Sequence, residues 1–306
     1  MKKGTSSKSV ILMAFLANLF IALVKFIVAF ITRSAAMLAE AVHSLADTFN
    51  QVLLLVGIKR GKRAPDSLHP FGFSGELYFW SFIVAIILFT AGAVFSIYEG
   101  IHKLLHPTPI KNIAYAFAVL LFSIAAESVA FSSAFRNVNR ERGKDKIFTY
   151  LRKTKKSELI VVFLEDLAAI SGLSCALVLI ALEHFTHILF FDGLASILIG
   201  VILAAVAVFL GNETRSLLLG ESADPELIKK ISTIFETEES IDRLIHIKSL
   251  QLGPEDILIA VKAQFNDRLN TRETCNLING IEKEIRDRHP DVKKIFIEPD
   301  IYKSNY

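Results

Sequence analysis

Six runs of predominantly apolar residues, roughly 9–31, 35–58, 77–100, 112–135, 158–182 and 190–210, fill the first two thirds of this 306-residue chain. Each is about as long as a helix needs to be to cross a bilayer. Lipid offers no partner for a bare N–H or C=O, so runs of this length must satisfy their backbone internally, as helices. Composition agrees: 52% of residues are apolar and the mean hydropathy is +0.46, well above a soluble protein of this size. After residue 210 the charge density becomes ordinary. The expected organisation is therefore an all-α transmembrane domain of six helices over residues 1–210 and a soluble domain over 211–306.

Six spans place both termini on one side of the membrane. Lys and Arg crowd the N-terminus, the 59–63 turn and the 136–156 connection, and are sparse on the other set of connections. The positive-inside rule then puts both termini and the soluble domain in the cytoplasm, with the cell (plasma or inner) membrane as the expected location. Met1 to Lys8 is too short for a transit peptide, so the first run is expected to be a retained span. The net charge of +3 comes from connecting loops and implies no nucleic acid. Cys175 lies in an apolar span and Cys275 in the soluble part, with no CxxC, so neither a disulfide framework nor a thiolate metal site is expected.

Within the second run, Met37-Leu-Ala-Glu-Ala-Val-His-Ser-Leu-Ala-Asp-Thr-Phe-Asn-Gln51 places ionisable groups at membrane depth. The spacing of Glu40, His43, Asp47 and Asn50 puts them along one helical stripe. Each charged group there costs roughly 2.5–3.5 kcal/mol on insertion scales, so such residues face a bundle interior or a water-filled path. A His and a carboxylate four apart can close on one metal ion, which makes His43 and Asp47 the first ligand candidates; on a soluble helix the same pair reads as a surface ion pair.

Other polar residues lie in the remaining spans. Lys25 and Asn18 lie in span one, where Lys25 either snorkels or neutralises a neighbouring carboxylate. Glu127 in span four has three open roles: ligand, proton carrier or hydrogen-bonding partner. Span five holds adjacent Glu165 and Asp166, about 100° apart on a helix, so both can border one cavity while only one points at its centre. Two such carboxylates at membrane depth call for a divalent cation or bound protons. His69 lies in the constrained loop Pro65-Asp-Ser-Leu-His-Pro-Phe-Gly-Phe73, at the expected cytoplasmic mouth. Asp192 reads as the N-cap of span six, and the basic, His-free connection 136–156 as a solvated loop.

In the soluble part, Asp224-Pro225 opens a helix with Leu227, Ile228, Ile231, Ile234 and Phe235 on one face. Residues 243–250 and 256–265 alternate as strands. Asn270 and Glu273 suggest a capping box, and 293–298 a last strand. The order αββαβ predicts a ferredoxin-like, metallochaperone-like sandwich.

Taken together, the six spans, His43-Ser-Leu-Ala-Asp47, His69-Pro-Phe-Gly-Phe73 and the αββαβ domain resemble the cation diffusion facilitator family. The phrases 37–51 and Phe163-Leu-Glu-Asp-Leu-Ala-Ala169 look most like the subgroup that includes the mitochondrial zinc transporter of animals. The resemblance implies a homodimeric exporter that exchanges Zn2+ for protons, with Mn2+ or Fe2+ as alternative ions and no prosthetic group. It also implies a four-residue site, of which His43, Asp47 and Asp166 match; the fourth position is Val162, which cannot ligate, so either Glu165 or water completes the shell. Glu40, Asn50 and Glu127 are accessory or proton-carrying candidates. The soluble domain offers only His246 and His289, so the family's regulatory metal sites are expected to be weak or missing. A non-transporting partner subunit is the alternative that Val162 suggests. An intramembrane metallohydrolase is disfavoured, since neither His-Glu-x-x-His nor Gly-x-Ser-x-Gly occurs.

Overall fold

The computed structural model of the chain describes residues 7–303, without the side chains of residues 7–14 and 17. The reading of Met1 to Lys8 as too short a leader falls almost wholly outside the described residues. The described residues form two compact units: 7–59, 79–152 and 156–214 in one, and 60–78, 153–155 and 215–303 in the other.

The first unit is helical. Helix α1 spans Ser7–Thr32 and α2 spans Ala35–Gly61. The third span starts as α3 (Glu76–Ile87), passes through a π-helical stretch (Leu88–Val94) and ends as α4 (Phe95–Leu105). Then come α5 (Ile113–Glu141), a short α6 (Ile147–Lys153), α7 (Ser157–Thr186) and α8 (Phe190–Leu219). Five of these helical rods are long and apolar enough to cross a membrane, and α1 adds the apolar stretch Asn18–Thr32. Several overrun the apolar runs because a helix that has already formed continues into water until a cap or breaker stops it.

Two findings correct the sequence reading. Asp192 does not cap its own helix; it lies in the first turn of α8 and caps α2 instead. Its carboxylate accepts from the backbone N–H groups of Ala35 (2.8 Å) and Ala36 (3.1 Å) and from the Ser34 hydroxyl (2.6 Å). A carboxylate at a helix N-terminus satisfies orphan donors and meets the positive end of the dipole. Lys103 of α4 pairs with the same carboxylate at 3.2 Å. The basic connection, read as a loop, contains helix α6, whose Leu151 is fully buried. Seven residues are too few to show helical periodicity against so many Lys and Arg.

Spans three and six approach through small residues, as lipid-embedded helices often do. A Cβ added at Gly100 would sit 2.6 Å from the Gly193 carbonyl oxygen, and one at Gly200 would sit 2.8 Å from that of Ala93. Ser196 donates a 2.7 Å hydrogen bond to the Ser96 carbonyl across this seam.

The second unit contains α9 (Pro225–Glu236), β1 (Ile241–Gly253), β2 (Asp256–Phe265), α10 (Thr271–Arg288) and β3 (Val292–Pro299). The sheet order is β1-β2-β3, antiparallel then parallel, with α10 as the crossover. Asp224 caps α9 with Pro225 at its first position, and Asn270 with Glu273 forms the capping box of α10. Alternate β2 residues Ile257, Ile259, Val261, Ala263 and Phe265 are buried against Ile231, Ile234 and Phe235 of α9 and Ile281 and Ile285 of α10. Strand β1 runs longer than its apolar alternation because bulges reset its register.

Residues 60–78 pack with this unit. Ser74 donates a 2.5 Å hydrogen bond to Asp256, which Lys294 also engages at 2.7 Å. Gly253 makes room for the approach, since a Cβ there would lie 2.4 Å from that of Ser74. Phe71 meets Phe296 edge to face.

Candidate metal site within the helix bundle

The α2 stripe turns into the protein. Glu40, His43 and Asn50 are buried and Asp47 is half-buried, whereas Phe49 beside them is exposed. His43 Nδ1 and Asp47 Oδ1 approach to 3.4 Å without forming a hydrogen bond. Both His43 ring nitrogens, Asp47 Oδ1, Glu40 Oε1 and Asn50 Oδ1 have no hydrogen-bond partner among the described residues. Native interiors rarely leave polar atoms so, and a run of them on one helix face points to a group that binds there.

Opposite the stripe runs α7, antiparallel to it. Asn50 donates a 2.6 Å hydrogen bond to Glu165 Oε1. About two turns away, Glu40 Oε1 lies against Gly172, where a Cβ would stand 2.7 Å from it. Any side chain at 172 would displace the carboxylate. Glu165 is therefore the α7 carboxylate that faces α2; Asp166 is half-buried and Val162 is exposed. Glu127 of α5 is half-buried.

Helix α1 supplies the counter-charge to the stripe. Lys25, 1% exposed, places its ammonium 3.3 Å from Glu40 Oε2 and donates to Ser44 at 2.7 Å. One turn pair away, Asn18 donates to Gln51 at 3.1 Å. Of the two roles open to Lys25 in the sequence, the neutralising one is taken. The signal was a lysine within an apolar helix, but only the packing names its counter-charge.

Among the described residues, no three His, Cys, Asp or Glu side chains are already arranged around one point for an ion. The structure brings His43 to Asp47 and Asn50 to Glu165; it leaves Asp166 and Glu127 at the margin. His69 belongs to the other unit, where its ring and backbone N–H meet Asp66 Oδ1 at 3.1 and 2.7 Å and its ring lies against Phe73. The helices α2, α5 and α7 thus carry five carboxyl groups, Glu40, Asp47, Glu127, Glu165 and Asp166, of which Glu40 meets the Lys25 ammonium and Asp47 approaches the His43 imidazole. At membrane depth such an excess of acid calls for protons or a metal cation to balance it.

Six apolar helices with an acidic interior, followed by an αββαβ domain, define a multi-pass helical membrane protein. A family model for the cation efflux transmembrane domain matches residues 11–219. The chain belongs to the cation efflux, or cation diffusion facilitator, family, whose members are transporters and not enzymes. It is 30% identical to the proton-coupled zinc antiporter SLC30A9, mitochondrial, of Homo sapiens, over 90% of this chain and 55% of that protein. Metal tolerance protein C4 of Arabidopsis thaliana is also 30% identical, over 86% of this chain and 58% of its own. The chain thus spans little more than half the length of these relatives. The manganese efflux system protein MneP of Bacillus subtilis is 24% identical, over 97% of this chain and 96% of its own.

Proposed function

We propose that the chain exports a divalent cation, zinc in the first instance, in exchange for protons, as a homodimer with both termini in the cytoplasm. The observation that carries this reading is the pair His43, buried, and Asp47, half-buried, on α2, whose ring nitrogens and Oδ1 have no hydrogen-bond partner among the described residues. Imidazole and carboxylate suit zinc. Glu165 or Asp166 from α7 completes the shell, with Glu40, Asn50 and Glu127 as accessory or proton-carrying groups. Because each ligand must be deprotonated to bind, metal entry releases protons and proton entry releases metal, so exchange follows if the site opens to each side in turn. The zinc antiporter named above supports this ion and coupling, and the distribution of Lys and Arg supports the orientation.

Manganese is the second reading. It is favoured by a donor set with one nitrogen and several oxygens, and by the manganese efflux relative that matches along its whole length. Full-length protein in liposomes, with a zinc- or manganese-sensitive dye inside and an imposed pH gradient, separates the readings. Zinc flux driven by the proton gradient is expected; flux of neither ion would overturn transport, and flux indifferent to the gradient would overturn antiport.

A further inference from the structure

Lys25 is buried against a carboxylate of the α2 stripe, and the transport chemistry above makes no use of it. Its ammonium is held by Glu40 Oε2 and Ser44. Glu40 is three residues from His43 and Ser44 is the next residue along, so a full positive charge sits within one helical turn of the candidate ligands. Glu40 meanwhile has the properties of a ligand held back. It is fully buried, it lies on the stripe with His43 and Asp47, and its Oε1 is unpartnered against Gly172.

From this geometry we infer that Lys25 is a tethered cation that competes with the transported ion for Glu40 and thereby sets how tightly the site holds that ion. With the ammonium on Glu40, a divalent ion at His43 and Asp47 meets a neutralised carboxylate and a nearby positive charge, and is released readily. Without the ammonium, Glu40 presents a full negative charge beside His43, and the ion is held longer. Both effects follow from Coulomb's law in a medium much less polar than water. A pair that served only to insert and pack α1 against α2 would change stability without touching affinity.

The inference rests on the transport reading, and a double-mutant cycle on the full-length protein in detergent, with zinc affinity read by calorimetry, tests it separately. Lys25→Met is expected to tighten zinc binding by about tenfold or more, equal to about 1.4 kcal/mol. In liposomes the same variant should lower the half-saturating zinc concentration and the maximal flux together. Glu40→Gln keeps an acceptor for the ammonium but leaves its charge unbalanced, and should weaken binding by a similar factor. The double variant Lys25→Met/Glu40→Gln should return to within about threefold of the wild type, because the two opposing charges are removed together. If Lys25→Met fails to fold, Glu40→Gln and the double variant still decide, since neither leaves a bare buried carboxylate at position 40. Wild-type affinity in Glu40→Gln, with only a lower melting temperature, would reduce the pair to packing. A double variant as weak as Glu40→Gln would make Glu40 an ordinary ligand and Lys25 a bystander. Failure of the wild-type chain to bind zinc or manganese would overturn the transport reading instead.

Discussion

Asn50 donates a 2.6 Å hydrogen bond to Glu165, joining the last residue of the polar stripe on α2 to the carboxylate that α7 turns toward it. An amide donor fixes the orientation of that carboxylate in the way that groups supporting a metal ligand do. Glu165 is buried on the side of α7 that faces α2, whereas Val162, about one turn earlier, is exposed.

Glu165→Gln should weaken zinc affinity by about tenfold or more and lower flux at every pH, the range seen when groups supporting a metal site are removed. Unchanged affinity at high pH, together with a flattened pH dependence, would make Glu165 a proton carrier instead. Asn50→Ala should show a smaller loss in the same direction. Asp166→Asn should reduce flux as well, and if it abolishes flux while Glu165→Gln does not, the order of the two carboxylates reverses.

His43→Ala and Asp47→Ala should each nearly abolish zinc flux while the protein remains folded and inserted, since each removes donor atoms that bond nothing else in the described structure. Circular dichroism and size-exclusion chromatography check folding, and dye-loaded liposomes check flux. Wild-type flux in both variants would show that the ion passes elsewhere.

The cap that Asp192 provides for α2 is expected to be costly to lose. Asp192→Ala strips three hydrogen bonds from the start of α2 and leaves the buried Lys103 without its carboxylate. Breaking a buried pair from one side costs about 3–5 kcal/mol. Thermal unfolding in detergent should show a large loss, and Asp192→Asn, which keeps an acceptor, should recover part of it. Equal melting temperatures for all three proteins would refute the cap.

Gly253→Ala tests the seating of residues 60–78. The added methyl would stand 2.4 Å from the Ser74 side chain, an overpacking of the kind that costs about 1–3 kcal/mol. Hydrogen exchange should quicken in residues 70–76 while β2 stays protected. Protection unchanged across 70–76 would mean that the segment yields without leaving.

The domain from Arg215 onward is expected to keep its melting temperature when chelator is added, because its core is the apolar cluster under the sheet. Its acid sensitivity should trace in part to His289. Burial, followed by the charges of Lys230 and Arg288, holds the imidazole below its ordinary 6.5. A lowered folded value means that the unfolded chain takes up the proton first as pH falls. The neutral side chain's contribution is therefore complete above pH 6.5 and declines below it, until the folded value is reached. His289→Gln should lessen the drop in melting temperature between neutral and acid pH.

Patterns along the chain were enough for the six apolar runs, the stripe from Glu40 to Asn50, the αββαβ order and both caps of the second unit. Each of these depends on spacing within one segment: the length that crosses a bilayer, the 3.6-residue turn, the alternation of a strand, the three-residue reach of a capping box. Tertiary structure alone decided which helix answers each polar group. Nothing local to Asp192 says that it caps α2 rather than α8, because from either end a carboxylate near a helix start looks the same. Nothing local to Lys25 selects Glu40 among five carboxylates, and nothing near Glu165 reveals that it, and not Asp166, meets Asn50. Such pairings depend on the rotation of each helix about its axis, which is set by side chains packing across the bundle and not by any pattern along the chain.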